Sequence, residues 1–266
     1  MPFRIVELSS ARNPLLQNIR LAAARGRPID DGLFVIEGPH LLQEIIHSAW
    51  QLETLLFTPE TFPAWEAYAR ERDVETALIP ARTFTSLAAT ETTQGVMALA
   101  RPRLWQWQEF QVHPALVVVL DGVQDPGNAG TIIRSAEAFG ATGVVLLEHS
   151  ARLSNGKLMR ASAGSLFHLP VRDAVPPSEF VSCALENRWH LAALNPSGDV
   201  AVSRFSFNND CALIVGSEGR GVSPDLLARS SSVTIPTARV ESLNAATACS
   251  IALYEASCQR REYESL

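Results

Sequence analysis

The sequence predicts an α/β fold, with a C-terminal domain on a parallel sheet preceded by a smaller α/β domain. Three observations carry this. Continuous apolar runs recur at 115–120, 143–147, 189–194, 212–215 and 233–235, as expected of strands buried on both faces. A helical segment at 129–139 joins the first two runs, which makes a βαβ unit. A proline-bounded polar stretch over 101–114 divides this part from a front portion with short strands and helices of its own.

The elements follow in order. Residues 10–25 read as an amphipathic helix with Leu15, Leu16, Ile19 and Ala23 on one face. Asn13 and Pro14 supply its cap and its first-turn proline. Residues 33–36 (LFVI) read as a buried strand, and 39–49 as a helix turning Leu41, Leu42, Ile45 and Ile46 inward. Apolar runs at 52–57 and 74–79 flank another helical segment. The 101–114 stretch reads as a linker. Its Trp105 and Trp107 either pack on the core or offer a platform to bases or a partner. The strand at 115–120 then feeds a Gly-rich loop, the helix at 129–139 and the strand Gly143–Leu147. The last segment, 242–262, reads as a helix with Ser242 at its N-cap.

Composition narrows the function classes. The chain has 266 residues, 47% apolar and 19% charged, which fits a packed core and excludes a disordered chain. Cys183, Cys211, Cys249 and Cys258 form no C-x-x-C pair and the six histidines lack ligand spacing, so neither a disulfide scaffold nor a metal site is expected. The start, MPFRIVELSSARNP, has no apolar signal core, and no apolar run is long enough for a membrane span, so a cytoplasmic protein is expected. The net charge of -6 argues mildly against a nucleic-acid partner. Its distribution is uneven, however. Arg4, Arg12, Arg20, Arg25 and Arg27 face only Glu7 within residues 1–29, and Arg152, Lys157, Arg160 and Arg172 face no acid within 149–172. Each patch reads either as solvated surface or as a contact for phosphate.

Three constellations stand at strand ends. Residues 120–134 run from a strand into a helix through Asp125, Pro126, Gly127 and Asn128, a position that offers free backbone N–H groups. Neither G-x-G-x-x-G nor G-x-x-x-x-G-K-[ST] is present, so a dinucleotide fold and a P-loop are unsupported. Arg134, read as lying one turn inside the helix, taken alone is a solvated arginine. Residues 212–221 place Gly216, Gly219 and Gly221 around Glu218, which suits a tight turn or a loop wrapping a ligand. Residues 234–248 pass from a strand end through Pro236 to a helix start, with Ser242 and Asn244 at its mouth. Spacing alone yields a polar small-ligand site at one edge of a parallel sheet.

In this order the three constellations resemble the signature motifs of the SpoU (TrmH-like) RNA ribose 2′-O-methyltransferases of the SPOUT class. The motifs are DGVQDPGNAGTIIRSAEAFGATGVVLL (121–147), IVGSEGRGVS (214–223) and IPTARVESLNAATACSIALYEA (235–256). RASAGSLFHLPV (160–171) is similar to the family's intervening segment. SSARNPLLQNIR followed by GLFVIEGPHLLQEII resembles the substrate-binding domain of its ribosomal-RNA branch. The resemblance implies an RNA-binding domain over 1–102, a linker over 103–114 and a SPOUT methyltransferase domain over 115–266 with a deep trefoil knot. It implies S-adenosylmethionine as cofactor, lined by Asn195, Gly216, Ile235, Leu243 and Ala248. Asn128, Arg134, Glu218, Ser242 and Asn244 match the family's polar active-site positions. A homodimer is implied, with RNA docked by Arg12, Arg20, Arg25 and Arg160. The implied reaction is methylation of a ribose 2′-OH, in 23S ribosomal RNA given the front domain. A tRNA substrate, or a non-catalytic RNA-binding factor on the same fold, stands as the alternative. One departure is the loop Thr237-Ala238-Arg239, shorter by one residue than in many members.

The chemistry of Arg134 follows from its basicity. A guanidinium titrates above ~12, so a neutral form at pH 7 costs at least ~7 kcal/mol. Arg134 is therefore expected to clamp the target phosphate rather than to act as a free base.

Overall fold

A computed structural model describes residues 4–10, 12–29 and 32–264, with side chains through Arg261. The chain forms two compact units. One comprises residues 1–103 together with 153–168, and the other comprises 104–152 together with 169–266.

The first unit holds β1 (Ile5–Glu7), α1 (Pro14–Arg25), β2 (Phe34–Glu37), α2 (Pro39–Ile45), β3 (Gln51–Phe57), α3 (Glu66–Glu71), β4 (Glu75–Leu78), α4 (Ala81–Thr85) and β5 (Val96–Arg101). Its sheet runs β1-β4-β3-β5-β2, parallel among the first three strands and antiparallel on both sides of β5. Helix α1 starts as expected: the Asn13 side chain accepts the amide hydrogens of Leu15 and Leu16, and Pro14 occupies the first turn. Leu16, Ile19 and Ala22 face a core with Phe84, Leu56 and Leu99.

The second unit holds β6 (Leu116–Asp121), α5 (Pro126–Ala138) and β7 (Gly143–Leu147). The chain then gives α6 (Gly156–Ala161) to the first unit and returns as β8 (Val171–Val175). It continues through α7 (Pro177–Glu186), β9 (His190–Leu194), β10 (Val200–Ala201), β11 (Cys211–Gly216), α8 (Pro224–Leu227), β12 (Ser231–Thr234) and α9 (Ala245–Glu264). The sheet is parallel throughout, in the order β10-β12-β9-β11-β6-β7-β8. Leu116 to Leu120 are buried, as a strand flanked by others and covered on both faces requires. Among the described residues no helix is long and apolar enough to cross a membrane.

Two expectations change. Residues 104–114 are not a free linker but part of the second unit. Phe110 is buried, Trp105 and Trp107 pack on its core, Trp107 Nε1 donates to Glu179, and the Arg172 guanidinium lies 4.4 Å from the Trp107 ring centre. The segment 153–168 lies inside the span read as methyltransferase domain, yet it packs with the front unit. Leu158, Met159 and Phe167 are buried there, and Trp50 meets Phe167 edge to face at 5.1 Å.

Candidate active site

Parallel strands bring all their C-terminal ends to one edge. Here the loops after β6, β9, β11 and β12 gather on that edge of the second unit. Gly216 ends β11, and its lack of a side chain is a packing requirement. A Cβ there would sit 2.0 Å from the Gly221 carbonyl carbon. The next residues therefore fold back closely: Ser217 N–H donates to Gly221 O at 3.1 Å, and Gly221 N–H to Ser217 O at 2.8 Å. This turn carries Glu218. The Asp121 carboxylate accepts the Ser223 amide at 2.6 Å and ties the far side of the turn to the end of β6. Ser150 braces the same strand end, accepting from Gly122 N–H and donating to Leu120 O, each at 2.9 Å.

Three predicted residues from three motifs meet. Asn128 Nδ2 donates to Glu218 Oε1 at 2.5 Å, and Asn244 Nδ2 reaches Glu218 Oε1 at 2.9 Å and Asn128 Oδ1 at 3.1 Å. Helix ends aim two of them. Asp125 caps α5 by accepting the Asn128 amide, and Asn244 Oδ1 caps α9 by accepting from Ala246 and Thr247. The cap of α9 is thus Asn244, not Ser242, because two residues separate Ser242 from the first helical turn. Ser242 is exposed and faces the neighbouring cleft.

That cleft has a volume of about 1090 Å³. Asn195, Gly216, Ile235, Leu243 and Ala248 all line it, as do Glu218, Ser242 and Asn244. Asn195 is held by Ser232 and by the Ser197 amide. The short loop after Pro236 closes on itself, with the Thr237 hydroxyl donating to Val240 O at 2.5 Å. Apolar residues such as Ile235 and Leu243 thus share one space with the charged residues Glu218, Arg220 and Glu241.

Arg134 does not join the cluster. It lies about two turns into α5, not one, and six residues beyond Asn128, which turns it roughly 120° away. It is exposed and has no hydrogen-bond or ion-pair partner among the described residues. Arg12, Arg20 and Arg25 are exposed on the first unit, where Arg20 donates to Ser86 Oγ at 3.2 Å. Arg160 differs: it is half-buried, and its guanidinium stands 3.8 Å from buried Glu37, whose carboxylate also accepts from Ala89 N–H and the Thr90 hydroxyl. The braces Asp121, Ser150 and Thr237 escape sequence reasoning. Their only signal is a polar side chain beside a strand end.

Residues 115–254 match the SpoU rRNA Methylase family, and residues 13–98 match the MRM3-like substrate binding domain. An uncharacterised tRNA/rRNA methyltransferase of Synechocystis is 32% identical over 266 residues, covering 96% of this chain and 95% of that protein. The 23S rRNA (guanosine(2553)-2′-O)-methyltransferase RlmP of Bacillus subtilis is 30% identical over 250 residues, covering 93% and 98%. The crystal structure of the SpoU methyltransferase AviRb from Streptomyces viridochromogenes, in complex with the cofactor AdoMet, is similar at a TM-score of 0.82 and 28% identity, covering 94% of this chain and 99% of that one. With the cleft and its polar cluster assembled from the motif residues, the chain belongs to the SpoU rRNA methylase family.

Proposed function

We infer that the protein methylates a ribose 2′-hydroxyl of RNA with S-adenosylmethionine, and that the RNA is 23S ribosomal RNA met in the cytoplasm. The observation that carries this is the meeting of Asn128, Glu218 and Asn244 at a cleft whose lining contains Asn195, Gly216, Ile235, Leu243 and Ala248. Relatives spanning nearly the whole chain are named as 23S rRNA 2′-O-methyltransferases, which favours ribosomal RNA over tRNA.

The residues present fit the cofactor. Ile235, Leu243 and Ala248 offer apolar contact to a base, backbone groups at Gly216 offer polar contacts, and the Glu218 carboxylate suits a cationic sulfonium nearby. When bound, S-adenosylmethionine supplies an electrophilic methyl group on a sulfur that leaves as a neutral thioether. The protein must hold the hydroxyl in line with that methyl, and such positioning alone supplies several kcal/mol. Asn128 orients the ribose, while Glu218 and Asn244 hold the loops around it. Arg134, turned away from its own chain's cluster, clamps the target phosphate at the partner subunit's cleft and polarises the hydroxyl, whose proton passes to that phosphate.

A homodimer and the family's trefoil knot belong to this reading. Ile251 and Tyr254 on α9 are exposed beside α5, where Tyr254 meets Phe139 edge to face and Ser250 meets Ser135 at 2.7 Å. This half-apolar face supports a second copy docking there.

Calorimetry with S-adenosylmethionine, followed by mapping of 2′-O-methyl groups on separated RNA pools, tests the inference. Saturable binding that is lost in Leu243→Arg, with methylation of 23S RNA, is expected. Binding with methylation of tRNA alone overturns the substrate, and no binding by the folded protein overturns the enzyme.

A further inference from the structure

The charged side chains that line the cleft are Glu218, Arg220 and Glu241. Glu218 is engaged, since the amides of Asn128 and Asn244 both donate to its Oε1. Arg220 and Glu241 are exposed, and neither side chain has a hydrogen-bond or ion-pair partner among the described residues. Their backbones are nevertheless held. Arg220 stands in the Ser217–Gly221 turn, where its amide donates to Ser217 Oγ at 3.2 Å. Glu241 follows Val240, whose carbonyl takes the Thr237 hydroxyl, and precedes Asn244, the cap of α9. The two loops leave β11 and β12, which lie on opposite sides of β9. Two strand spacings make about 10 Å, so the end of β9 separates the roots of these loops. S-adenosylmethionine bears a positive sulfonium, a positive α-ammonium and a negative α-carboxylate. The cleft bears the complement, two carboxylates and one guanidinium. With the sulfonium matched to Glu218, a zwitterionic amino-acid tail and two unpaired side chains of opposite sign remain.

We propose that Arg220 and Glu241 hold the amino-acid tail of S-adenosylmethionine, Arg220 by its carboxylate and Glu241 by its ammonium, and so select a cofactor whose tail is intact. The proposal rests on the S-adenosylmethionine reading and deepens it. Arg220 suits the carboxylate because its fork offers two parallel N–H donors. The competing anion for Arg220 is an RNA phosphate, but that choice sets Glu241 against a polyanion, which repels it. The tail survives methyl transfer unchanged, so both contacts hold S-adenosylhomocysteine as they hold the methyl donor.

The test is calorimetry of the full chain with S-adenosylmethionine, with S-adenosylhomocysteine and with decarboxylated S-adenosylmethionine, which lacks the carboxylate alone. Arg220→Ala is expected to weaken the first two equally, by about tenfold. Its affinity for the decarboxylated ligand stays at the wild-type value or rises, which also shows that the cleft is intact. Glu241→Gln, which keeps the shape of the side chain, is expected to weaken all three ligands by about tenfold. Equal losses for all three in Arg220→Ala make that residue a brace of the turn and overturn the proposal. Wild-type affinity for S-adenosylmethionine in Arg220→Ala, with weakened binding of a 23S transcript, assigns Arg220 to phosphate and also overturns it. Wild-type affinities in Glu241→Gln remove the ammonium contact and overturn a tail held at both poles. A folded wild-type protein that binds none of the ligands overturns the cofactor reading beneath the proposal.

Discussion

Asn244 uses the two ends of its amide differently. Its Oδ1 takes two backbone amides at the start of α9, so its Nδ2 has to point outward, to Glu218 and Asn128. That orientation forces the next one: Asn128 presents Oδ1 to Asn244 and therefore Nδ2 to Glu218. A helix cap thus sets the polarity of the whole cluster, and stability and activity separate by substitution. Asn244→Asp keeps a good cap and places a second carboxylate against Glu218. Asn244→Ala removes both roles. The unfolding free energy from denaturant titration is expected to fall by about 1 kcal/mol for Asn244→Ala and by less for Asn244→Asp. Methyl transfer is expected to fall at least about tenfold in both, because Asn244→Ala removes the donor to Glu218 and Asn244→Asp sets two like charges against each other. Full turnover in Asn244→Asp would remove the donor role.

The loop after β11 shows the same logic one level up. Its turn is closed by its own backbone, and its direction is set by Asp121 through the Ser223 amide. Asp121→Ala is expected to slow methyl transfer by about tenfold, and Asp121→Asn, whose Oδ1 still accepts an N–H, to restore most of it. Because Asp121 acts through Glu218, Asp121→Ala adds nothing to Glu218→Ala. Additive losses in that cycle would make Asp121 an independent brace. At the opposite edge of the sheet, Arg260 on α9 donates to the carbonyls of Pro114, Ala115, Phe207 and Asn209, and Asp210 accepts from the Ala115 amide and His113. Burial pushes the Asp210 carboxyl up, but the His113 and Ala115 hydrogen bonds and the His113 and Arg260 charges outweigh it, leaving its pKa below the ordinary value. Its folded value lies below the unfolded one, so its contribution is complete above about pH 4 and is lost as pH falls through the folded value. Urea midpoints measured down this range should flatten in Asp210→Asn; an unchanged acid slope would assign the loss to other carboxylates. Strands such as β6 and β11 were legible in the sequence because central parallel strands carry only apolar residues. Strand β5 was not, since Met97, Ala98 and Leu99 also suit a helix and only the neighbours β2 and β3 make them a strand. Strand β8 hid because Arg172 and Asp173 lie within an edge strand that one neighbour covers.

At the scale of the molecule, motif order led to Asn128, Glu218 and Asn244, whose meeting needs only the parallel sheet to align three loops. Motif order could not show that 153–168 belongs with the front unit, because that choice is made by long-range packing of Leu158, Met159 and Phe167. Removing residues 1–103 would strip those side chains of their cover, so the roles of the two units are better separated by point changes in the whole chain. Arg134 poses the remaining question of assembly. It is exposed on α5 and turned away from Asn128, and the next residue, Ser135, meets Ser250 of α9, the helix that carries the exposed Ile251 and Tyr254. If a second copy docks on that face, Arg134 serves the partner's cleft, and each active site is built from two chains. Arg134→Ala and Glu218→Ala are then each inactive as homodimers, while a mixed dimer holds one site with both lesions and one with neither. Random re-association after mixing makes half the dimers mixed, so activity returns to roughly a quarter of wild type. Glu218→Ala mixed with Asn244→Ala, whose lesions fall in one cleft, returns nothing. An inactive Arg134→Ala and Glu218→Ala mixture, with exchange of subunits verified by mass, would place Arg134 in its own chain's site.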